Sequence, residues 1–223
     1  MNHKIRFAIV PVAVITSSLL TGCIVHVGGG DGSSRHHSYR QDDDKQISGT
    51  AGDISSINDD IKFSSHTTAG HVDAVNGDIK ISDNVELRSI NTVNGDIRAG
   101  HKLASTGPIE TVNGDIEIES GSSVVSISTV NGDIELEGVQ VQHNISTQNG
   151  DISLRGDTHI LGDVIFEKRD NPSGWNWGNS HDRPELEIDT NVRIDGNIVL
   201  NRQVELQIAN PQLKDKIIYR DKR

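Results

Sequence analysis

The triplet Asn-Gly-Asp occurs five times, beginning at Asn76, Asn94, Asn113, Asn131 and Asn149, at intervals of 18, 19, 18 and 18 residues. A degenerate copy, Asn58-Asp59-Asp60, lies 18 residues before the first. A unit this short cannot enclose a core of its own, so its apolar side chains must be buried against the units before and after it. That requirement constrains the fold more than any local propensity.

Aligned on the Asn, the repeats resolve into columns. Three residues on stand Ile61, Ile79, Ile97, Ile116, Ile134 and Ile152, and two further on Phe63, Ile81, Ala99, Ile118, Leu136 and Leu154. Lys80, Arg98, Glu117, Glu135 and Ser153 lie between them. The alternation of apolar and polar residues is that of a half-buried strand. Upstream of the Asn, Val72, Ile90, Ile109, Ile127 and Ile145 form another column. Ala74, Thr92, Thr111, Thr129 and Thr147 form the next, with Asp73, Asn91, Glu110, Ser128 and Ser146 alternating outward. Each repeat therefore reads as two short strands joined at the Asn-Gly, and its variable second half carries the other bends. Stacked at the sheet spacing of about 4.8 Å, like columns meet and bury one another.

The expected fold is all-β: a single-stranded parallel β-solenoid, right-handed and β-helix-like, with about 18 residues per coil. An antiparallel array of Asn-Gly hairpins is the rival. It has no need of near-identical columns at a constant period. Within the solenoid, Gly77, Gly95, Gly114, Gly132 and Gly150 predict positive φ at one corner of every coil. Asn76, Asn94, Asn113, Asn131 and Asn149 predict a side-chain amide ladder along the stack. Asp78, Asp96, Asp115, Asp133 and Asp151 predict acceptors for turn N–H groups.

With its "T-V-N-G-D-I" words, the chain resembles a bacterial adhesin-like family of unknown function, whose members are secreted or lipid-anchored. The resemblance rests on residues 72–154 and extends more loosely over 47–208. It implies a β-solenoid domain and a role in the cell envelope. It carries over no catalytic residues.

The flanks suggest where such a domain is placed. Lys4 and Arg6 precede a mostly apolar run, Phe7 to Leu20, which is too short to span a bilayer. Leu20-Thr21-Gly22-Cys23 follows and resembles a bacterial lipobox. Residues 1–22 are expected to be a lipoprotein signal peptide, with Cys23, the only Cys, as the lipidated and palmitate-bearing residue. Ile24 after it implies, by the same resemblance, the outer membrane of a Gram-negative bacterium. Residues 23–46, rich in Gly, Ser, His and Asp, read as a flexible tether reaching about 25 Å. His36 and His37 beside Asp42, Asp43 and Asp44 lack a spacing that fixes a metal geometry. The solenoid is placed at 47–210, with a polar insertion loop at 169–184. Leu186, Ile188, Val192, Ile194, Ile198, Leu200, Val204, Leu206 and Ile208 are its closing core. Residues 211–223 read as a basic, solvated tail, with contact to anionic lipid as the alternative.

Loss of Lys4 and Arg6 with the signal peptide takes the formal charge from −11 to −13, which excludes the basic footprint of a nucleic-acid binder. One Asp in every coil matches no catalytic arrangement, since catalysis needs groups in different environments. No catalytic residues are expected, and a polysaccharide-active enzyme is the least favoured reading. Asp115, Glu117, Glu119, Asp133, Glu135 and Glu137 are expected to share one face. Either that face is simply solvated or it holds Ca²⁺ or Mg²⁺ weakly, with no firm metal site and no other cofactor. Trp175 and Trp177 lie in the insertion loop and either cover the solenoid or contact a protein or glycan partner. The functional expectation is a lipid-anchored, non-enzymatic interaction protein, with a cation-binding accessory lipoprotein as the alternative.

Overall fold

The computed structural model describes residues 45–168 and 183–220. Within them the chain winds as a parallel β-solenoid with almost no helix. Strands preceding the Asn-Gly-Asp corner, such as Ile109–Asn113 and Ile127–Asn131, stack into a nine-stranded sheet. Strands following it, such as Ile116–Ile118 and Ile134–Glu137, form a second sheet of nine. Among the described residues every strand pairing is parallel, and the repeats stand in register: Ile109 faces Ile127, which faces Ile145, and Ile116 faces Ile134, which faces Ile152. At about 4.8 Å per coil the stack is roughly 40 Å long.

A third sheet was not evident from the columns. Six two-residue strands, from Glu86–Leu87 to Arg193–Ile194, come from the variable half of each repeat. Each coil that contains one is triangular in section. A two-residue strand offers one inward side chain, here Leu87, Val124, Val141, Ile160 or Ile194, and is too short to show a period.

The core is a set of stacked columns running the length of the solenoid. Ile61, Ile79, Ile97, Ile116, Ile134 and Leu186 are all completely buried. Leu186, Ile188, Val192, Ile194, Ile198 and Leu200 close the core as expected, whereas Val204, Leu206 and Ile208 are only partly buried. They belong to the final coil, which has a neighbour on one side alone. Val199, between Ile198 and Leu200, is buried too, so that strand is apolar on both faces.

Both ends differ from the expected boundaries. The first strand is Lys45–Ile47, so the solenoid begins inside the segment read as tether. At the other end, Pro211–Lys216 forms a 3₁₀ helix and Ile217–Tyr219 pairs with Ile198–Leu200. These residues are not a solvated tail. Leu213 is buried against the core, Asn210 Nδ2 donates to the Val192 carbonyl at 3.0 Å, and Lys216 Nζ donates to the carbonyls of Ile194 and Asp195. Side chains thereby satisfy the outer edge of the third sheet.

Ile116 is wholly buried and Glu117 beside it is exposed. Ile116→Asp is expected to destabilise the fold by several kcal/mol, while Glu117→Ala changes stability little. Chemical denaturation midpoints compare the two, and equal midpoints would overturn the assignment of faces.

Candidate functional site

The Asn-Gly-Asp corner is where the repeated residues meet, and each member makes a vertical contact. Asn76 Nδ2 donates to Asn58 Oδ1 at 3.1 Å, Asn94 to Asn76 and Asn113 to Asn94 at 2.8 Å, Asn131 to Asn113 at 2.8 Å and Asn149 to Asn131 at 2.9 Å. At the far end Arg202 Nη1 donates to Asn149 Oδ1 at 3.3 Å and to the Gln148 carbonyl at 2.8 Å. The ladder therefore starts on the degenerate repeat and ends on a guanidinium.

Aspartate forms a second ladder. Asp60 Oδ1 accepts from the Asp78 backbone N–H at 2.9 Å, and the pattern continues through Asp96, Asp115, Asp133 and Asp151 at 2.7 to 3.1 Å. Asp151 Oδ1 takes the Glu185 N–H at 2.7 Å. These carboxylates accept from the next coil rather than from their own turn. Hydrogen bonding to a backbone N–H offsets the repulsion of stacked charges.

Glycine serves a different purpose from the one expected. Of the five, only Gly77 and Gly132 have positive φ, at 147° and 154°, and Gly95, Gly114 and Gly150 do not. The requirement is close approach. A Cβ on Gly95, Gly114, Gly132 or Gly150 would fall closer than 3.0 Å to the carbonyl oxygen of the Gly one coil before. The constraint lies between coils and is invisible in the conformation of one residue.

The buried Thr column completes the corner. Thr111, Thr129 and Thr147 Oγ1 donate to the carbonyls of Gly95, Gly114 and Gly132 at 3.2, 3.1 and 3.3 Å. Thr92 Oγ1 is buried without a partner among the described residues.

The acidic face is real but divided. Glu117 lies directly opposite Glu135, where two charges about 4.8 Å apart repel by roughly 0.9 kcal/mol in water. Arg98 Nε reaches Glu117 at 3.6 Å from one side, and Arg155 Nη1 reaches Glu135 at 3.9 Å from the other. Arg98 also pairs with Asp96 at 2.8 Å, while Lys80 is engaged with Asp60 and Asp78 rather than with this face. Arg155 Nη2 bonds Glu187 at 3.1 Å. That bond raises the Arg155 pKa, and with a second bond from Ser153 it holds the Glu187 carboxyl below its ordinary range. Asp115 and Asp133 have one oxygen in the aspartate ladder, and Glu119 and Glu137 lie beyond the Glu117–Glu135 pair. Among the described residues no three His, Cys, Asp or Glu side chains are arranged to hold a metal ion. Cys23, His36, His37, Trp175 and Trp177 lie outside the described residues.

Two features escaped the columns. The residue before each Asn points outward, so Ile57, Val75, Val93, Val112 and Val130 form an apolar stripe on the pre-corner sheet. Ile57 is 57% exposed and Val75 39%, whereas the three Val that follow are half-buried. Stacked β-branched side chains cover one another, and the first has a neighbour on one side only. A second set of vertical Asx bonds occupies another corner: Asn144 Oδ1 accepts from Asp163 N–H, and Asp163 Oδ1 from Asn197 N–H, both at 2.8 Å. Repeated Asx residues at one position would have signalled it, but the word there changes from coil to coil.

Residues 71–170 match the family model described as Toastrack DUF4097, a stretch containing all five Asn-Gly-Asp words. No curated protein and no solved structure matches the chain. The match gives the repeated stretch a family likeness, and the family description names no activity.

Two measurements test this geometry. Thr92→Val removes a buried hydroxyl without a partner and is expected to raise stability by about 1 kcal/mol, whereas Thr129→Val loses a hydrogen bond and should not. Thermal unfolding of the two variants decides it. Because the Glu187 carboxyl is held low, its pair with Arg155 stabilises the fold fully above the ordinary glutamate range and fades as pH falls through the depressed value. Glu187→Gln should flatten that acid-side part of the pH–stability curve, read from urea midpoints.

Proposed function

We propose that this protein is a lipid-anchored, non-enzymatic interaction protein of the bacterial cell envelope, in which Cys23 and the segment after it tether the solenoid to a membrane. The observation that carries the reading is the engagement of the repeated polar residues. Asn and Asp of the five words, and Gly of the first four, face neighbouring coils and bind them. They act as construction material for a rigid rod, not as a row of reactive groups. What remains for partners is the outer surface, and the apolar stripe from Ile57 to Val130 is its most distinctive part. β-branched side chains on a flat sheet present apolar area at little conformational entropy cost on contact.

The adhesin-like role and the outer-membrane location belong to this proposal. They are supported by the lipobox-like Leu20-Thr21-Gly22-Cys23 and by the repeated word. A protein or glycan partner fits a rod that holds its outer faces away from the anchor.

Cys23→Ser is expected to abolish lipid incorporation and release the protein from the membrane fraction, because the chain has no other thiol. Radiolabelled fatty-acid incorporation and fractionation of the variant give the result, and retention at wild-type levels would overturn the anchor. Protease treatment of intact cells then separates a surface-exposed rod, which is cleaved, from a periplasmic one, which is protected.

A further inference from the structure

The five Asn-Gly peptides are alike in sequence but not in surroundings, and the difference bears on a reaction intrinsic to Asn-Gly. In that reaction the backbone nitrogen of the Gly attacks the Asn side-chain carbonyl carbon. Four of the five Gly nitrogens are held by the next coil. Gly77 N–H donates to the Asn94 carbonyl and Gly95 to Asn113, both at 3.0 Å. Gly114 donates to Asn131 and Gly132 to Asn149, both at 2.9 Å. Gly150 breaks the series, and among the described residues its N–H has no acceptor. In the following coil Pro184 stands opposite Gly150, and the N–H of Glu185 takes the next place in the aspartate ladder.

A second observation concerns the electrophile. Asn149 Oδ1 accepts from Arg202 Nη1 at 3.3 Å, whereas the other ladder oxygens accept from a neutral amide. Negative charge gathers on this oxygen when a nucleophile adds to the amide carbon, and a guanidinium stabilises it better than an amide does.

We propose that Asn149-Gly150 is a self-modification site, at which the native protein deamidates selectively while the other four Asn-Gly peptides are protected. Hydroxide removes the Gly150 amide proton, and the nitrogen forms a bond to Asn149 Cγ. The Cγ–Nδ2 bond breaks, ammonia leaves with a proton from water, and a succinimide remains. Water then opens the ring at either carbonyl, giving aspartate or isoaspartate at position 149. No redox partner is required. The product replaces the last amide of the ladder with a carboxylate beside Arg202, and isoaspartate adds a methylene to the backbone at the terminal corner.

The test uses the folded protein and the same protein in denaturant, aged in mildly alkaline buffer, with peptide mapping by mass spectrometry and enzymatic methyl labelling of isoaspartate. Denatured, the five sites share the Asn-Gly-Asp context and should react at similar rates. Folded, position 149 should react at least about tenfold faster than the mean of the other four, the factor expected when their N–H bonds must first be broken. A folded protein that deamidates evenly, one that does so first at another Asn, or one in which position 149 stays intact while denatured chains react would overturn the proposal.

Discussion

Contact between like residues in successive coils governs this structure. The glycine of one corner lies so close to the carbonyl of the glycine before it that a methyl group cannot be placed between them. That approach brings the Asn amides to 2.8 Å and sets each Asp carboxylate under the next backbone N–H. Each net hydrogen bond contributes on the order of 1 kcal/mol. Their value lies as much in registration, because a coil shifted by one residue would lose the Asn, Gly and Asp contacts together.

Registration at one corner leaves the rest of the coil free to vary. The interval of 19 residues between Asn94 and Asn113 is absorbed without loss of either ladder. The much longer excursion between Asn149 and Glu185 is tolerated on the same terms, since the aspartate ladder resumes at the Glu185 N–H. Across this junction Gly150 N–H has no acceptor among the described residues, and Pro184 occupies the place that glycine holds in the earlier coils.

The two large sheets and the amide ladder were legible in the sequence because identical residues recur at a constant interval, and stacking identical residues has few geometric solutions. Other features left weaker traces. The third sheet contributes a single inward residue per coil, Val124 or Val141 for instance, and one residue has no period. Positive φ at Gly95, Gly114 and Gly150 was the wrong inference from a glycine because the steric demand came from another coil. The basic C-terminal segment reads as solvated by charge, yet Leu213 and Ile217 supply apolar contacts and Lys216 directs its ammonium to backbone carbonyls. Of the functional expectations, the acidic face was visible by alignment. Its division between Arg98 and Arg155 depends on side-chain reach across coils, which alignment does not convey.

The direction of the inter-coil bonds has a mechanical consequence. Backbone and side-chain bonds alike run along the solenoid axis, from each coil to the next. A tensile load that enters at Lys45 and leaves at the opposite end pulls on them lengthwise. The interfaces between coils then bear the load in series, each carrying the full force, unlike a sheet pulled along its strands, where the bonds share it in shear. Such a rod peels one coil at a time from the end that is pulled. It lengthens in steps of one coil's contour while the remaining coils keep their shape.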